Sequence, residues 1–201
     1  MMSKLGRPLV MSAQQRRQQI YLAAEALFLE QGYAKVTMND IAAQAGMSKK
    51  TLYLYFADKK QLLSALISQQ TADLPQAVTP TLEPIAALKQ HLFEIAQNVL
   101  SERHLKLCRL AIAERLNVEG LTASFYSMGV MRSRNRLLES VARIEKQDWV
   151  LELSVEIVTD MLFGASINKC FVDALMLDID LDFAQIEHDI HASVDALFIK
   201  K

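Results

Sequence analysis

Apolar residues recur along the chain at helical spacing, and no segment shows the strict alternation that is typical of a β-strand. Ser12 and Gln15 form a capping box for a first helix, and Gly32 supplies its left-handed stop. Between them, five apolar residues share the spacing of one buried helical face: Ile20, Ala23, Ala24, Leu27 and Phe28. The pattern predicts an all-α fold.

Two short helices with a tight turn between them follow. Thr37, with Asp40 three residues on, caps a second helix that ends at Gly46. Ser48 then caps a third helix with the sequence KKTLYLYF. This length and turn chemistry are typical of a helix-turn-helix, whose second helix enters the major groove of DNA.

The third helix has a predicted buried face and a predicted exposed face. Leu52 and Phe56 lie four residues apart and are expected to face the core. The other positions are then turned outward or to the flanks: Lys49, Lys50, Tyr53 and Leu54 outward, Thr51 and Tyr55 on the flanks. Lysines and tyrosines on a short exposed helix indicate a bound partner, because tyrosine offers both an apolar face and a hydroxyl to DNA.

A proline-rich segment separates two predicted domains. Asp58 with Gln61 caps a fourth helix, which is expected to run to about Ala72. Three of the four prolines fall between Pro75 and Pro84, in a segment that cannot continue a helix. We place the boundary there, with a DNA-binding domain over residues 1–72 and a helical domain over residues 73–201.

The second domain is predicted to hold about five helices. Residues 105–116 are apolar nearly all round, so this helix is expected to be central and buried. Residues 150–176 predict a helix about 40 Å long, with one polar stripe of Glu152, Glu156 and Asp160. The last helix, over residues 183–197, repeats the apolar pattern. So much apolar surface predicts that a second subunit covers part of it.

Composition excludes two classes of protein. Hydrophobic residues make up 51% of the chain, too many for a disordered protein. No stretch of eighteen residues runs without a charge, so no membrane span is expected. The only apolar patch near the start, residues 9–13, is too short for a signal peptide. A soluble, cytoplasmic protein is expected.

The charge is divided unevenly along the chain. Residues 1–60 carry nine lysines and arginines against four acids, a balance of +5, whereas the remainder carries −6. A basic head on an acidic body indicates a polyanion-binding end.

The cysteines indicate neither a disulfide framework nor a zinc site. Cys108 and Cys170 lie far apart, with no CxxC spacing, so buried reduced thiols are expected.

Neither catalysis nor metal binding is expected. Asp178, Asp180 and Asp182 imitate the opening of a calcium loop, but Phe183 stands where that loop needs glycine. Acids that begin a helix explain this cluster, since the helix dipole favours them. His188 and His191 are three apart without an evident third ligand, and no phosphate-binding loop, HExxH or nucleophile motif is present. We predict no catalytic residues, no metal and no cofactor.

The stretch from Thr37 to Leu63, TMNDIAAQAGMSKKTLYLYFADKKQLL, forms a dense and specific pattern, and AAEALF with QGY precedes it. It closely resembles the headpiece of the TetR family of bacterial transcriptional regulators, over about residues 12–66. The resemblance implies contacts to a double-stranded DNA operator. Phosphates would be held by Thr37, Ser48, Tyr55 and Lys59, and bases or sugars would be met by Lys49, Lys50, Thr51 and Tyr53.

Other roles stay open for several of these residues. Thr37 and Ser48 also fit plain helix caps, and Tyr53 also fits packing against the first helix. Lys50 departs from the family, where this position is often small, which leaves its contact undefined. Outside the motif, the tail residues Lys4 and Arg7 fit either a minor-groove arm or an unstructured tail.

The second domain carries a less specific resemblance. Residues 109–114, RLAIAE, and 124–129, SFYSMG, resemble an AefR-like subset of the family. The resemblance implies a homodimer through the last two helices, where Gly164, Ala165 and Ser166 would allow close approach. It also implies an interior site for a small hydrophobic ligand, although the same side chains fit plain core filling. The predicted ligand-binding residues are Phe93, His104, Cys108, Phe125, Tyr126, Met128 and Met131.

The leading hypothesis is a dimeric, ligand-responsive regulator, most simply a repressor with a palindromic operator. A second hypothesis keeps the DNA headpiece and gives the second domain a protein partner instead of a small ligand. A helical enzyme is a distant third, because paired catalytic groups are missing from the sequence.

Overall fold

A computed structural model describes residues 11–70, 82–177 and 179–198. These residues are largely helical, and the extended pairing described within them is one isolated bridge between Trp149 and Phe198. The prediction of an all-α fold is confirmed. The described residues form two compact units that divide between Leu66 and Ile67.

The first unit contains helices α1 (Ala13–Gln31), α2 (Met38–Gln44) and α3 (Lys49–Tyr53), and α4 (Lys59–Gln70) begins in it. All five residues that predicted the buried face of α1 are buried. Its capping box forms as expected: the Ser12 amide donates to the Gln15 side chain at 2.8 Å, and the Gln15 amide donates to the Ser12 hydroxyl at 3.1 Å. Gly32 ends the helix with a φ of 82°.

The second unit is a helical bundle around one apolar core. Its helices are α5 (Pro84–Val99), α6 (Glu102–Ala113), α7 (Leu121–Phe125), α8 (Met131–Ala142), α9 (Val155–Phe163), α10 (Lys169–Met176) and α11 (Phe183–Leu197). A π-helical turn at Tyr126–Val130 joins α7 to α8, and another at Gly164–Asn168 joins α9 to α10. The core is formed mainly by α5, α8, α9 and α11.

The last helix has the predicted bounds. Asp182 caps α11 by accepting from the amides of Ala184 and Gln185, so the interpretation of this acid as a helix start is confirmed. The apolar residues that predicted its inner face are all buried: Ile186, Ile190, Val194 and Leu197.

The helix predicted over residues 150–176 begins later than expected. Ser154 caps it, so α9 starts at Val155. The preceding segment bonds elsewhere, because the Val150 amide donates to the Leu197 carbonyl at 3.0 Å. Glu152 therefore lies outside the helix, and the predicted polar stripe keeps only Glu156 and Asp160.

The prediction that residues 105–116 are buried all round was wrong. Only one face of α6 is buried, with Leu105 and Leu107 among its residues. Ile112 is 52% exposed, and Leu116, beyond the end of α6, is 82% exposed. The hydrophobicity of residues 105–116 did not distinguish the buried positions from the exposed ones.

Parts of the predicted domain boundary lie outside the described residues. At the boundary these are Ala72, Pro75 and Pro80. The tail residues Lys4 and Arg7 also lie outside the described residues. Pro84 is the first residue of α5, a position where its missing N–H is harmless. The boundary at 72/73 stays a prediction.

Candidate nucleic-acid interface and interior cavity

The turn between α2 and α3 is held by local hydrogen bonds. The Thr37 amide donates to the Asp40 carboxylate at 2.8 Å, and the Asp40 amide returns a bond to the Thr37 hydroxyl. Gly46 takes a φ of 64°, which a side chain would disfavour, and the Met47 amide closes the turn on the Ala42 carbonyl at 2.9 Å. The helix-turn-helix geometry therefore follows from residues close in sequence.

Two buried side chains hold α3 in place. Leu52 is fully buried and Phe56 is 2% exposed, as the spacing predicted. The Phe56 ring lies 5.5 Å from the ring of Tyr21 on α1, and the Arg17 guanidinium lies 5.4 Å from the Phe56 ring centre. These contacts fix which face of α3 is presented to solvent.

The exposed face of α3 is the predicted one. Lys49 and Lys50 are exposed, and Tyr53 is 44% exposed, with the Lys49 ammonium 5.8 Å from its ring centre. Tyr53 thus lies on the exposed face instead of packing against α1. Thr51 and Tyr55 are half-buried on the flanks.

The N-terminal end of α3 is capped by Ser48. The Thr51 amide donates to the Ser48 hydroxyl at 3.1 Å, and the two hydroxyls lie 2.8 Å apart. Thr37 and Ser48 are therefore helix caps, and both are exposed. Their contacts with phosphates stay predictions.

Lys59 has an intramolecular role that the sequence did not reveal. Its ammonium donates to the carbonyls of Tyr33 and Val36 at 2.6 and 2.7 Å and lies 4.2 Å above the Tyr33 ring. These bonds tie the start of α4 to the loop between α1 and α2. Its predicted phosphate contact is untested, and it would have to coexist with these bonds.

Leu54 is an exposed apolar residue beside the lysines that the predicted contact set omitted. It directly follows α3 and is 78% exposed, four residues after Lys50. The helical spacing had already turned it outward, so a signal was present. Leucine cannot donate or accept a hydrogen bond, but it can contact a thymine methyl group.

The second unit contains a cavity of about 450 Å³ that is partly open to solvent, a volume typical of small-molecule sites. Its walls come from every helix between α5 and α10 and from both π-helical turns. The lining residues are Asn98, Val99, His104, Phe125, Gly129, Val130, Ser133, Arg134, Leu137, Thr159, Asp160, Phe163, Gly164, Asn168 and Phe171.

Two of the seven predicted ligand-binding residues line this cavity. They are His104 and Phe125, whose rings lie 5.6 Å apart. The other described members lie elsewhere: Phe93 packs against the core, Cys108 is buried, Tyr126 is 55% exposed and Met131 is half-buried. The Met128 side chain lies outside the described part of the structure.

Most of the cavity wall was missed by the sequence reasoning. Phe163 and Phe171 lie on α9 and α10, which had been considered only as dimer helices. Gly164, expected at the dimer interface, lines the cavity as well. The two π-helical turns bring these residues inward, and neither turn has a sequence signature that spacing alone could detect.

Charges and burial set the electrostatics of the cavity. The Arg134 side chain donates to both carboxylate oxygens of Asp160, at 2.8 and 2.9 Å. The hydrogen bond from Arg134 lowers the pKa of the Asp160 carboxyl. Burial lowers the pKa of the His104 imidazole and raises the pKa of the Cys108 thiol to about 12. His104 is therefore neutral near pH 7, and Cys108 is an unreactive thiol.

An apolar surface runs along α9 and α10. Ile157, Met161 and Val172 are each between 41% and 50% exposed. Ala165 is also exposed, but Ser166 is only 4% exposed and is buried within its own unit. The expectation that Ser166 helps two subunits to approach each other is corrected accordingly.

Of the acids singled out in the sequence, Asp178 lies outside the described residues. Among the described residues, no group of three histidines, cysteines or acids is placed to hold a metal ion. His188 and His191 are both exposed on α11. None of the helices in the described ranges combines the length and apolarity that crossing a bilayer requires.

Comparison with known proteins identifies the headpiece. The family model for bacterial regulatory proteins of the tetR family matches residues 20–66. The transcriptional regulator AcrR of Shigella flexneri is 27% identical over 150 residues, which cover 71% of this chain and 66% of AcrR. The transcriptional activator FasR of Mycolicibacterium smegmatis is 33% identical over 78 residues, which cover 39% of this chain and 36% of FasR. The chain thus spans less than two thirds of either relative.

Solved structures share the whole fold. The flavonoid-responsive regulator FrrA superposes with a TM-score of 0.71 at 24% identity, covering 94% of this chain and 100% of FrrA. At this identity the likeness establishes the architecture of headpiece and helical second domain, while ligand specificity must be argued from the side chains.

Proposed function

We propose that the chain is a ligand-responsive repressor, whose headpiece is that of the TetR family of DNA-binding transcriptional regulators. Two copies bind a palindromic operator, and a small, mostly apolar molecule releases them. The observation that carries the proposal is the exposed face of α3, which presents Lys49, Lys50 and Tyr53 on a helix anchored by Leu52 and Phe56.

The DNA-binding step follows from the chemistry of that face. Lysines attract the phosphate backbone and can donate to guanine, whereas tyrosine and the adjacent Leu54 offer apolar surface to sugars and thymine methyls. The buried anchors prevent the helix from rolling, so these side chains enter the groove in a fixed orientation. Both affinity and base preference are therefore expected from α3.

The dimer is supported by the apolar surface on α9 and α10. Ile157, Met161 and Val172 expose hydrocarbon that a second copy would cover. A two-fold dimer places one α3 in each half of a palindrome, with half-sites about one helical turn or more apart on one face of the duplex. The spacing of the two headpieces then depends on the second domains.

Ligand response is supported by the cavity in the second unit. A ligand changes operator affinity only if it prefers one of the two headpiece spacings. Coupling of about 1–3 kcal/mol would lower operator affinity roughly 5- to 150-fold. FrrA, a flavonoid-responsive regulator, has the same fold, which is consistent with this use of the second domain.

The proposal is tested by selecting duplexes from a random pool with the full chain and matching the enriched sequence to the DNA upstream of its gene. We expect an inverted repeat, bound by a dimer in sedimentation. A variant with Lys49, Lys50 and Tyr53 all changed to alanine serves as the control and should enrich no sequence. Enrichment of no motif by the wild type would refute operator recognition.

A protein partner in place of a small ligand remains the alternative outcome for the second domain. A concave cavity of about 450 Å³ favours the small molecule, since its volume suits a small ligand. A broad thermal-shift screen tests this choice, because a ligand of the folded state raises the melting temperature. Hits that stabilise the protein without changing operator affinity would contradict the ligand-release step.

A further inference from the structure

The cavity of the second unit carries almost no net charge. Among the residues that line it, the permanently charged pair is Arg134 on α8 and Asp160 on α9. The guanidinium Nε and Nη2 donate to Oδ1 and Oδ2 of the carboxylate at 2.8 and 2.9 Å. This two-point geometry fixes the guanidinium against one side of the carboxylate, and the pair as a whole carries no net charge.

The remaining polar groups of the wall are neutral. Burial lowers the pKa of His104, so its imidazole is uncharged near pH 7. Ser133, Thr159 and Asn168 offer hydroxyl and amide groups. Within the described part of the second unit, the lining includes no lysine and no second arginine. A carboxylate or phosphate therefore meets no cation among these residues apart from the one that Asp160 already holds.

The apolar part of the wall is built from rings. Phe125, Phe163 and Phe171 line the cavity together with the His104 ring, which lies 5.6 Å from the ring of Phe125. Aromatic side chains favour offset or edge contacts with another ring. The wall therefore suits a ring system better than a flexible alkyl chain.

Arg134 still has donors that can bind a ligand. A guanidinium has five N–H groups, and the bonds to Asp160 use two of them. A carbonyl or hydroxyl oxygen can accept from the others while the pair stays intact. A carboxylate, in contrast, would bring a second negative charge beside Asp160, whose side chain is 60% exposed, and two neighbouring negative charges disfavour each other.

Building on the proposed ligand response, we propose that the cavity binds an uncharged ring compound with a carbonyl or hydroxyl group, and that the Arg134–Asp160 pair selects against carboxylic acids. Arg134 binds the polar group of the ligand. Asp160 holds Arg134 in position and supplies the negative charge that repels acids. The preference comes from both residues acting together, and removal of the carboxylate charge alone abolishes it.

The test uses two probes with one ring system, 2-naphthol and 2-naphthoate, titrated calorimetrically into the full chain near pH 7.5. We expect naphthol to bind about tenfold or more tightly than naphthoate, which corresponds to one pKa unit of electrostatic preference. Asp160→Asn keeps the shape and removes the charge. It should tighten naphthoate binding about tenfold and leave naphthol within about threefold, because Arg134 is then an unpaired cation.

Asp195→Asn is the matched control. Asp195 forms an ion pair with Lys89 at 2.6 Å between α11 and α5, and neither residue lines the cavity. This variant should keep the preference of the wild type. Arg134→Gln is a second variant. It should weaken naphthol binding, and it should not show the tighter naphthoate binding that is expected of Asp160→Asn. Circular dichroism confirms that each variant is folded.

Three results would overturn the proposal: naphthoate binding the wild type as tightly as naphthol, an unchanged preference in Asp160→Asn, or no binding of either probe.

Operator affinity of the unliganded protein is measured in parallel by fluorescence anisotropy. Intact operator binding with a failed probe test rejects the cavity assignment alone. Failed operator binding with a preserved probe preference rejects the regulator and leaves the cavity assignment standing.

Discussion

The two units of this molecule build their candidate sites in opposite ways. In the headpiece, the α3 surface is defined by residues between Thr37 and Phe56, and each cap bonds to a partner three residues away. In the second unit, the cavity is lined by residues that extend from Asn98 to Phe171 and come from six helices and two π-helical turns. The first site is local in sequence and the second is not.

The two sites also differ in how they use charge. The headpiece presents exposed lysines to solvent, where a polyanion can reach them. The cavity keeps its charges as a bonded pair, Arg134 with Asp160. A charged partner is thus expected for the first unit and an uncharged one for the second. The following predictions test this contrast, from the largest expected effect to the smallest.

The strongest test of the local site removes its anchor. Phe56→Ala deletes a ring that is 2% exposed and packs on Tyr21, so we expect the headpiece to lose about 3–5 kcal/mol of stability. Operator binding should be lost, while the probe affinity of the cavity is kept. Denaturant unfolding and calorimetric titration measure the two effects. Loss of cavity binding as well would show that the two units are not independent.

Lys59→Ala tests a contact that crosses the headpiece. The substitution removes the donor to the carbonyls of Tyr33 and Val36, so we expect a loss of about 1–3 kcal/mol in the free energy of unfolding. Lys60→Ala, at the exposed neighbouring position, is the control and should change stability by less than about 0.5 kcal/mol. Equal stabilities of the two variants would refute the structural role.

The same Lys59 variant tests the predicted phosphate contact. If Lys59 also neutralises a phosphate, the slope of operator affinity against salt falls by about one unit. The measurement uses the folded variant at several salt concentrations. An unchanged slope would leave Lys59 with the intramolecular role alone.

The contacts of α3 are tested one side chain at a time. Lys50→Ala and Tyr53→Ala should each reduce operator affinity by about 1–3 kcal/mol and relax base preference, with little effect on stability because both side chains are exposed. Competition with operators altered at single base pairs measures the preference. A uniform loss of affinity for every operator variant would show that these side chains contact only the backbone.

Leu54 is expected to contribute less, about 1 kcal/mol, through a thymine methyl. Leu54→Ala should weaken binding to an operator with thymine but not to one in which deoxyuridine replaces the contacted thymine. Measuring both proteins on both operators isolates the contact. Equal losses on the two operators would exclude a methyl contact, and a loss of stability is not expected at a position that is 78% exposed.

The headpiece could be predicted from sequence because its determinants are short-range. The spacing of Leu52 and Phe56 gave the buried face of α3 correctly, and the caps Thr37 and Ser48 gave the starts of α2 and α3. The end of α3 was wrong, because the helix stops at Tyr53 and not at the predicted residue 56. Lys59 was a further exception. Its partners are the backbone carbonyls of residues 33 and 36, and a carbonyl acceptor leaves no mark in the residue types.

The cavity could not be predicted to the same degree. Apolar spacing identified the helices but did not distinguish side chains that fill a core from those that border a void. His104 and Phe125 were identified, yet Gly164 was assigned to a subunit interface and Phe163 was given no role. A π-helical turn rotates the residues after it relative to an ideal helix, so helical spacing counted along α9 does not carry through Gly164–Asn168 into α10.

The smallest expected effect concerns the acid response of the second unit. Burial lowers the pKa of His104 in the folded protein below its usual value of 6.5. Above that pH the imidazole is neutral in both folded and unfolded chains and contributes no pH dependence. As the pH falls below 6.5 the unfolded chain takes up the proton first, so stability is lost until the folded pKa is reached.

His104→Phe removes this titration and keeps a ring beside Phe125. The free energy of unfolding, measured in urea at pH 7.5 and pH 5.5, should therefore differ less between the two pH values for this variant than for the wild type. His91, whose pKa burial also lowers, continues to contribute in both proteins, and His188→Gln, at an exposed position on α11, serves as the control. An unchanged acid response in His104→Phe would mean that the imidazole can be protonated in the folded protein, and the uncharged character of the cavity would then fail below neutral pH.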